Sequence, residues 1–237
     1  NAVSAQIAML LQNASYNMAY AHSCHAFEHA LLDALVSLQN REYENILMGG
    51  FDEITPNQFI LVDRLNRWRK EDVHNLDLFH DALSGTIAGE GFNFFCLQNH
   101  LSSNTYAEVK DVQTLFSEDK PENISASILA FLDRNKLNIN DIDWILCGMN
   151  GDCVGDNLYK NILSDTFTTG YNLAAWKHLC GEYLTSTAFA LWAAAKSIKH
   201  QTVPDIMQLI SSKKNKKINN ILIYNHFKEK HHSIILV

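Results

Sequence analysis

The chain has 237 residues, of which 47% are hydrophobic and 19% charged, a balance that excludes a disordered or fibrous protein and is ample for burying a core. Its formal net charge of -7 excludes a surface built to neutralise phosphates, since nucleic-acid affinity rests on clustered Lys and Arg. No apolar run reaches the roughly 20 residues that a membrane-spanning helix needs, so neither nucleic acid nor membrane is expected as a partner.

Apolar residues Phe27, Leu31, Ala34, Leu35 and Leu38 recur at helical spacing, and residues 44–50 then form a short apolar run closed by Gly49 and Gly50, which predicts a helix leading into a buried strand. Residues 92–97, 107–114 and 144–148 read as further strands, and residues 124–136 carry Ile128, Leu129, Phe131 and Leu132 at helical spacing. Residues 186–200 predict an alanine-rich core helix that stops before Pro204. The basic run 213–217 reads as a solvated loop, and the chain ends in a hairpin whose strands, 218–224 and 233–237, are joined through residues 227–232. With three prolines and no Gly/Ser-rich linker, residues 1–237 read as a single α/β unit.

The five cysteines, at 24, 96, 147, 153 and 180, have no regular spacing and follow no secretory segment, which points to a reducing cytoplasm. The chain opens on Asn1 rather than Met, and residues 1–11 lack the basic flank and cleavage site of a signal peptide, so an incomplete gene product is expected. His22, Cys24, His25 and His29 are dense enough to suggest zinc, yet no second clear ligand pair accompanies them, and no metal or other cofactor is expected. Cys24 alone reads equally as a buried core thiol or as a reactive one.

Several segments, in order, resemble landmarks of the β-ketoacyl-acyl-carrier-protein synthases. Cys24 and the following Ala30, Leu31, Asp33 and Ala34 echo the stretch after that family's nucleophilic Cys, and Gly49-Gly50-Phe51-Asp52-Glu53 looks like its Gly-Gly-Ala-Asp/Glu segment. Gly89-Glu90-Gly91 is similar to its Gly-Glu-Gly, Asn140-Asp141-Ile142-Asp143 to the acidic turn before its first catalytic His, and Lys177 with Gly181 to its Lys-x-x-x-Gly-His. Asn225 and Phe227 resemble the start of its C-terminal Gly-rich turn. The resemblance implies the layered αβαβα thiolase-like architecture, incomplete at the N-terminus, with the end of the first half followed by the second half. It also implies dimerisation through an edge strand near residues 16–23, and a homodimer or a heterodimer with an active ketosynthase.

By this resemblance Cys24 would be the nucleophile at a helix N-terminus, where the dipole favours thiolate. The first catalytic His position reads Asn150, in Asn150-Gly151-Asp152-Cys153-Val154, and the second reads Glu182. An amide cannot shuttle protons and an ionised carboxylate repels an enolate, so ordinary decarboxylative condensation is not expected. Glu90 and Lys177 would hold the site through a salt bridge or turn hydrogen bonds, Phe227 would be the gating aromatic, and Asp52 and Glu53 would cap turns. The turn from Phe227 to His232 has no glycine to take unusual backbone angles. Acyl carrier protein or an acyl thioester is the expected partner, in fatty-acid, polyketide or aryl-polyene assembly, with the chain acting beside an active synthase as chain-length factors do. A non-decarboxylating acyltransferase or thioesterase using Cys24, His178 and Glu182 is the competing reading; the family fold would also bring Cys153 and Cys180 near Cys24, a redox or metal alternative. A working synthase would return to consideration if Asn150 and Glu182 pointed away from Cys24 and other histidines converged on its sulfur.

Overall fold

The computed structural model describes residues 2–80, 83–117, 121–212 and 217–237. In chain order the elements are helices α1 (Ala2–Leu10) and α2 (Ala26–Gln39), strand β1 (Asn45–Asp52), helix α3 (Pro56–Arg64), strands β2 (Gly91–Gln98) and β3 (Asp111–Phe116), and helix α4 (Pro121–Arg134). They continue through β4 (Trp144–Cys147), α5 (Cys153–Thr166), β5 (Asn172–Ala175), α6 (Lys177–Cys180), α7 (Thr187–His200), β6 (Gln208–Ser211), β7 (Ile221–Phe227) and β8 (His231–Leu236).

Six strands form one mixed sheet in the order β3-β8-β7-β4-β5-β6, parallel where β4 meets β7 and β5 and antiparallel elsewhere. Side chains alternate across a strand with period two, and here both faces are apolar. Leu146 and Ile223 join Phe27 and Leu31 of α2 and Leu191 of α7 on one side. Ile145 and Leu222 join Phe131 of α4 and Ile162 of α5 on the other. Each fully buried Leu, Ile or Phe contributes roughly 1.5–3 kcal/mol, so this double-sided sheet is the main source of stability.

Strands β1 and β2 pair antiparallel as a second sheet, and contacts of β1 with α2 and of β2 with α7 place it on the far side of that helix pair. The order of layers is therefore helix, sheet, helix, sheet. One face of β1 and β2, with Met48 and Gly50 buried, packs inward. The other presents Leu47, Phe51, Phe92 and Phe94 outward, with Phe92 76% exposed. Among the described residues no helix is long and apolar enough to cross a membrane.

Several boundaries differ from the sequence reading. Residues 107–110 are not strand, although the Lys110 N–H donates to the Leu236 carbonyl at 2.8 Å. Strand β7 starts at Ile221 because one Asp143 carboxylate oxygen accepts the N–H groups of Asn219 and Asn220, at 2.7 and 3.0 Å, and holds them out of the ladder. The final hairpin is tighter than expected: Phe227 pairs with His231, and Lys228 and Glu229 turn the chain with φ of 52° and 57°. These left-handed angles, unusual without glycine, cost about 1 kcal/mol or more each. The stretch 16–23, expected as an edge strand, forms no ladder within the chain; Tyr16 stacks on Tyr43 and the His22 ring turns in beneath α2. Of the basic run 213–217, residues 213–216 lie outside the described residues.

Candidate active site

The loop leaving β4 is shaped from behind by α5. Asp156, in the first turn of α5, accepts the backbone N–H of Asn150 at 3.0 Å and of Gly151 at 3.1 Å. Gly151 sits at φ 86°, in the left-handed region where a side chain is strained. The outer edge is held by Thr86, whose hydroxyl donates to the Asn150 carbonyl at 2.6 Å, and by Arg69, which donates to the Gly151 carbonyl at 2.5 Å. Burial pushes the Asp156 carboxyl up to about 6, while the two backbone donors pull it down. Charge-assisted bonds contribute roughly 1.5–3 kcal/mol each. Asp156→Ala is thus expected to lower stability by about 2–3 kcal/mol, read from the denaturant midpoint; an unchanged midpoint would show the loop to be held from its outer edge alone.

A second loop meets the first. Helix α6 ends at Gly181, φ 77°, beyond which Ala88 and Glu182 form a parallel bridge: the Glu182 N–H donates to Ile87 and the Gly89 N–H to Glu182. Here the two glycine motifs touch, since a Cβ on Gly89 would lie 2.1 Å from the Cys180 carbonyl oxygen. The bridge aims the Glu182 carboxylate at Lys177 and Asn150. The Lys177 ammonium donates to both carboxylate oxygens, at 3.0 and 2.8 Å, and the Asn150 amide donates to one of them at 2.6 Å. Lys177 is 2% exposed at its side chain and Glu182 19%.

Asn150, Glu182 and Phe227 line a cavity of about 470 Å³ together with His226, Thr86 and Glu53. His226 was missed from sequence. Its ring stacks on Tyr159 at 4.1 Å, one nitrogen bonds the Gly155 carbonyl at 3.2 Å and the other, Nδ1, is buried without a partner. Burial holds its pKa down to about 3, so it stays a neutral imidazole. Glu90 lies behind the rim, accepting the Ile54 N–H at 3.0 Å, and forms no ion pair with Lys177 among the described residues. Asp52 caps across the fold rather than locally, accepting both the N–H and the hydroxyl of Thr185.

Cys24 does not line this cavity. It is 3% exposed, two residues before α2, and its Sγ lies 3.4 Å from His22 Nδ1. Burial pushes the thiol up and the nearby Glu28 adds to this, outweighing Ser23 and Lys228, so the thiolate expected from the helix dipole is not favoured. Histidines therefore do converge on the sulfur, His22 first and His25 next to it, but neither lines the cavity that Asn150 and Glu182 border. His178 bonds the Ile206 carbonyl and meets Phe79, and among the described residues it makes no hydrogen bond to Cys24 or Glu182, so these three form no hydrogen-bonded triad. All five cysteines are free, and burial pushes Cys180 up to about 12.

No family model matches the sequence, and no curated protein matches it. Solved structures do. The ishigamide ketosynthase/chain length factor superposes with a TM-score of 0.79 at 19% identity, over 99% of this chain and 64% of that one. An oxazolomycin ketosynthase domain from Streptomyces albus gives 0.80 at 15% identity, over 99% and 48%. The chain has the thiolase-like fold of the ketosynthases. A type II polyketide acyl-carrier protein in complex with its ketosynthase bound to the hexaketide matches with a TM-score of 0.78 at 14% identity, over 98% and 65%. The chain thus spans about half to two thirds of the length of these ketosynthase structures. The four layers are accounted for by this fold.

Proposed function

We propose that this chain is a ketosynthase-like subunit of polyketide, fatty-acid or aryl-polyene type assembly that does not carry out decarboxylative condensation and works beside an active ketosynthase. The observation that carries the reading is the closed Asn150–Glu182–Lys177 network. Condensation needs neutral donors facing the malonyl thioester carbonyl, ready to hold the developing enolate. Here a salt-bridged carboxylate occupies one expected donor position, and the amide at the other is already bonded to it. Loss of each oxyanion donor costs on the order of hundredfold or more in rate. Two histidines lie beside the Cys24 sulfur, the arrangement that would return a working synthase to consideration, and release of carbon dioxide from malonyl-carrier protein is the measurement that would establish it.

Likeness to a ketosynthase/chain length factor and to a ketosynthase with its acyl-carrier protein supports a role as partner to such proteins. A second reading, an acyltransferase with Cys24 as nucleophile, is favoured by His22 at 3.4 Å from the sulfur. Incubation with radiolabelled acyl-carrier protein decides between them. No label on Cys24, no release of carbon dioxide from malonyl-carrier protein and co-purification with a ketosynthase are the expected results. Acyl label that disappears in Cys24→Ala would establish the enzyme instead.

A further inference from the structure

We propose that His22, Cys24, His25 and His29 form a binding site for a zinc-type divalent cation. The inference goes beyond the partner role and does not rest on it.

The donor atoms of His22, Cys24 and His25 all lie within 4.8 Å of one another. Zinc bonds of about 2.0–2.1 Å to nitrogen and 2.3 Å to sulfur place tetrahedral donors about 3.3–3.6 Å apart. The 3.4 Å between His22 Nδ1 and Cys24 Sγ already has that spacing. His29 lies outside that three-residue group, one helical turn beyond His25, and is proposed as the fourth ligand. The His29 N–H bonds the His25 carbonyl, so one turn separates the two residues, and their rings lie 5.9 Å apart at 68°. The His29 ring is also 5.1 Å from that of His22. Such an i, i+4 histidine pair presents two nitrogens on one helix face.

The surroundings fit a cation better than they fit a cluster held by its own hydrogen bonds. Among the described residues neither the His25 nor the His29 ring makes a hydrogen bond, which leaves their ring nitrogens available to a cation. A fourth ring, His231 of the last hairpin, lies 5.7 Å from that of His25. His22 Nδ1 accepts the N–H groups of Cys24 and His25 at 3.3 and 3.1 Å. A cation at that lone pair displaces both bonds and leaves the two N–H groups at the start of α2 to solvent. Cys24 and His25 are buried while His22 is exposed, which gives a dry site with an entry path. On binding, the Cys24 S–H bond breaks, its proton passes to solvent and the sulfur–metal bond forms, so affinity falls as pH falls. Cys24 then serves as a ligand instead of an acyl acceptor.

The test uses the full chain, stripped of metal and titrated with Co²⁺ and then Zn²⁺. Cobalt is expected to give tetrahedral visible bands and a near-ultraviolet thiolate charge-transfer band, both abolished by Zn²⁺. Cys24→Ser should remove the charge-transfer band, and His29→Ala should weaken Zn²⁺ affinity by at least about tenfold in competition with a chromophoric chelator. Circular dichroism and thermal unfolding report whether each variant is folded, and Zn²⁺ should raise the unfolding midpoint of the unaltered chain. Absence of both cobalt bands in the unaltered chain would overturn the proposal, as would a charge-transfer band that survives Cys24→Ser, because the metal would then sit on another cysteine.

Discussion

Glu182→Gln is expected to lower the unfolding free energy by about 3–5 kcal/mol, whereas Lys177→Met should cost about 1 kcal/mol or less. The asymmetry follows from burial. The Lys177 side chain is 2% exposed and relies on the Glu182 carboxylate, while Glu182 is 19% exposed and keeps the Asn150 amide and water when the ammonium is gone. At 2.8 Å and an effective dielectric constant near 20, the pair attraction is about 6 kcal/mol, comparable with the several kcal/mol needed to desolvate the ammonium. The pair therefore contributes little net stability when intact, yet the loss of the carboxylate alone strands a buried cation. A double variant, Lys177→Met with Glu182→Gln, should recover more than half of the single Glu182 loss. Guanidinium unfolding of the three variants reads this directly. If Lys177→Met proves as costly as Glu182→Gln, each charge depends equally on the other, and the description of this network is wrong.

The same network shows what a sequence can and cannot reveal about such a site. The order of Gly89, Lys177, Gly181 and Glu182 along the chain was legible through family resemblance, and the pairing of Lys177 with Glu182 follows from a four-residue helix that brings them together. Helices α2, α4 and α7 were legible because each carries a long apolar stripe, and β1 through its apolar run closed by two glycines, although that strand is exposed on one face rather than buried. Strand β5 was missed: four fully buried residues, Asn172 to Ala175, have no pattern to read. The hairpin turn was misjudged because Lys228 and Glu229 adopt angles normally signalled by Asn or Gly. Long-range convergence was the least accessible part. His231 reaches His25 only because β8 folds back across the sheet, and the expected helix-dipole effect on Cys24 gave way to burial, which no local motif encodes.

Glu28 carries the largest expected pH effect. It lies wholly buried in the first turn of α2, where the Ser233 hydroxyl donates to one carboxyl oxygen at 3.0 Å and the other has no hydrogen-bond partner. Desolvation raises its pKa above the ordinary 4.5, against the opposing influence of Thr187, Ser233 and Lys177. A raised folded-state pKa means that the neutral carboxyl is the form the core accepts. Its contribution is complete below pH 4.5 and is lost as pH rises through the higher folded value, at a slope of up to about 1.4 kcal/mol per pH unit. Glu28→Gln keeps the shape and a hydrogen-bond acceptor for Ser233 without the ionisation, so the variant should equal the parent in acid and exceed it increasingly toward alkaline pH. Urea unfolding at a series of pH values measures the two curves. Parallel curves would mean that Glu28 titrates alike in the folded and unfolded chains, its hydrogen bonds and Lys177 fully offsetting desolvation.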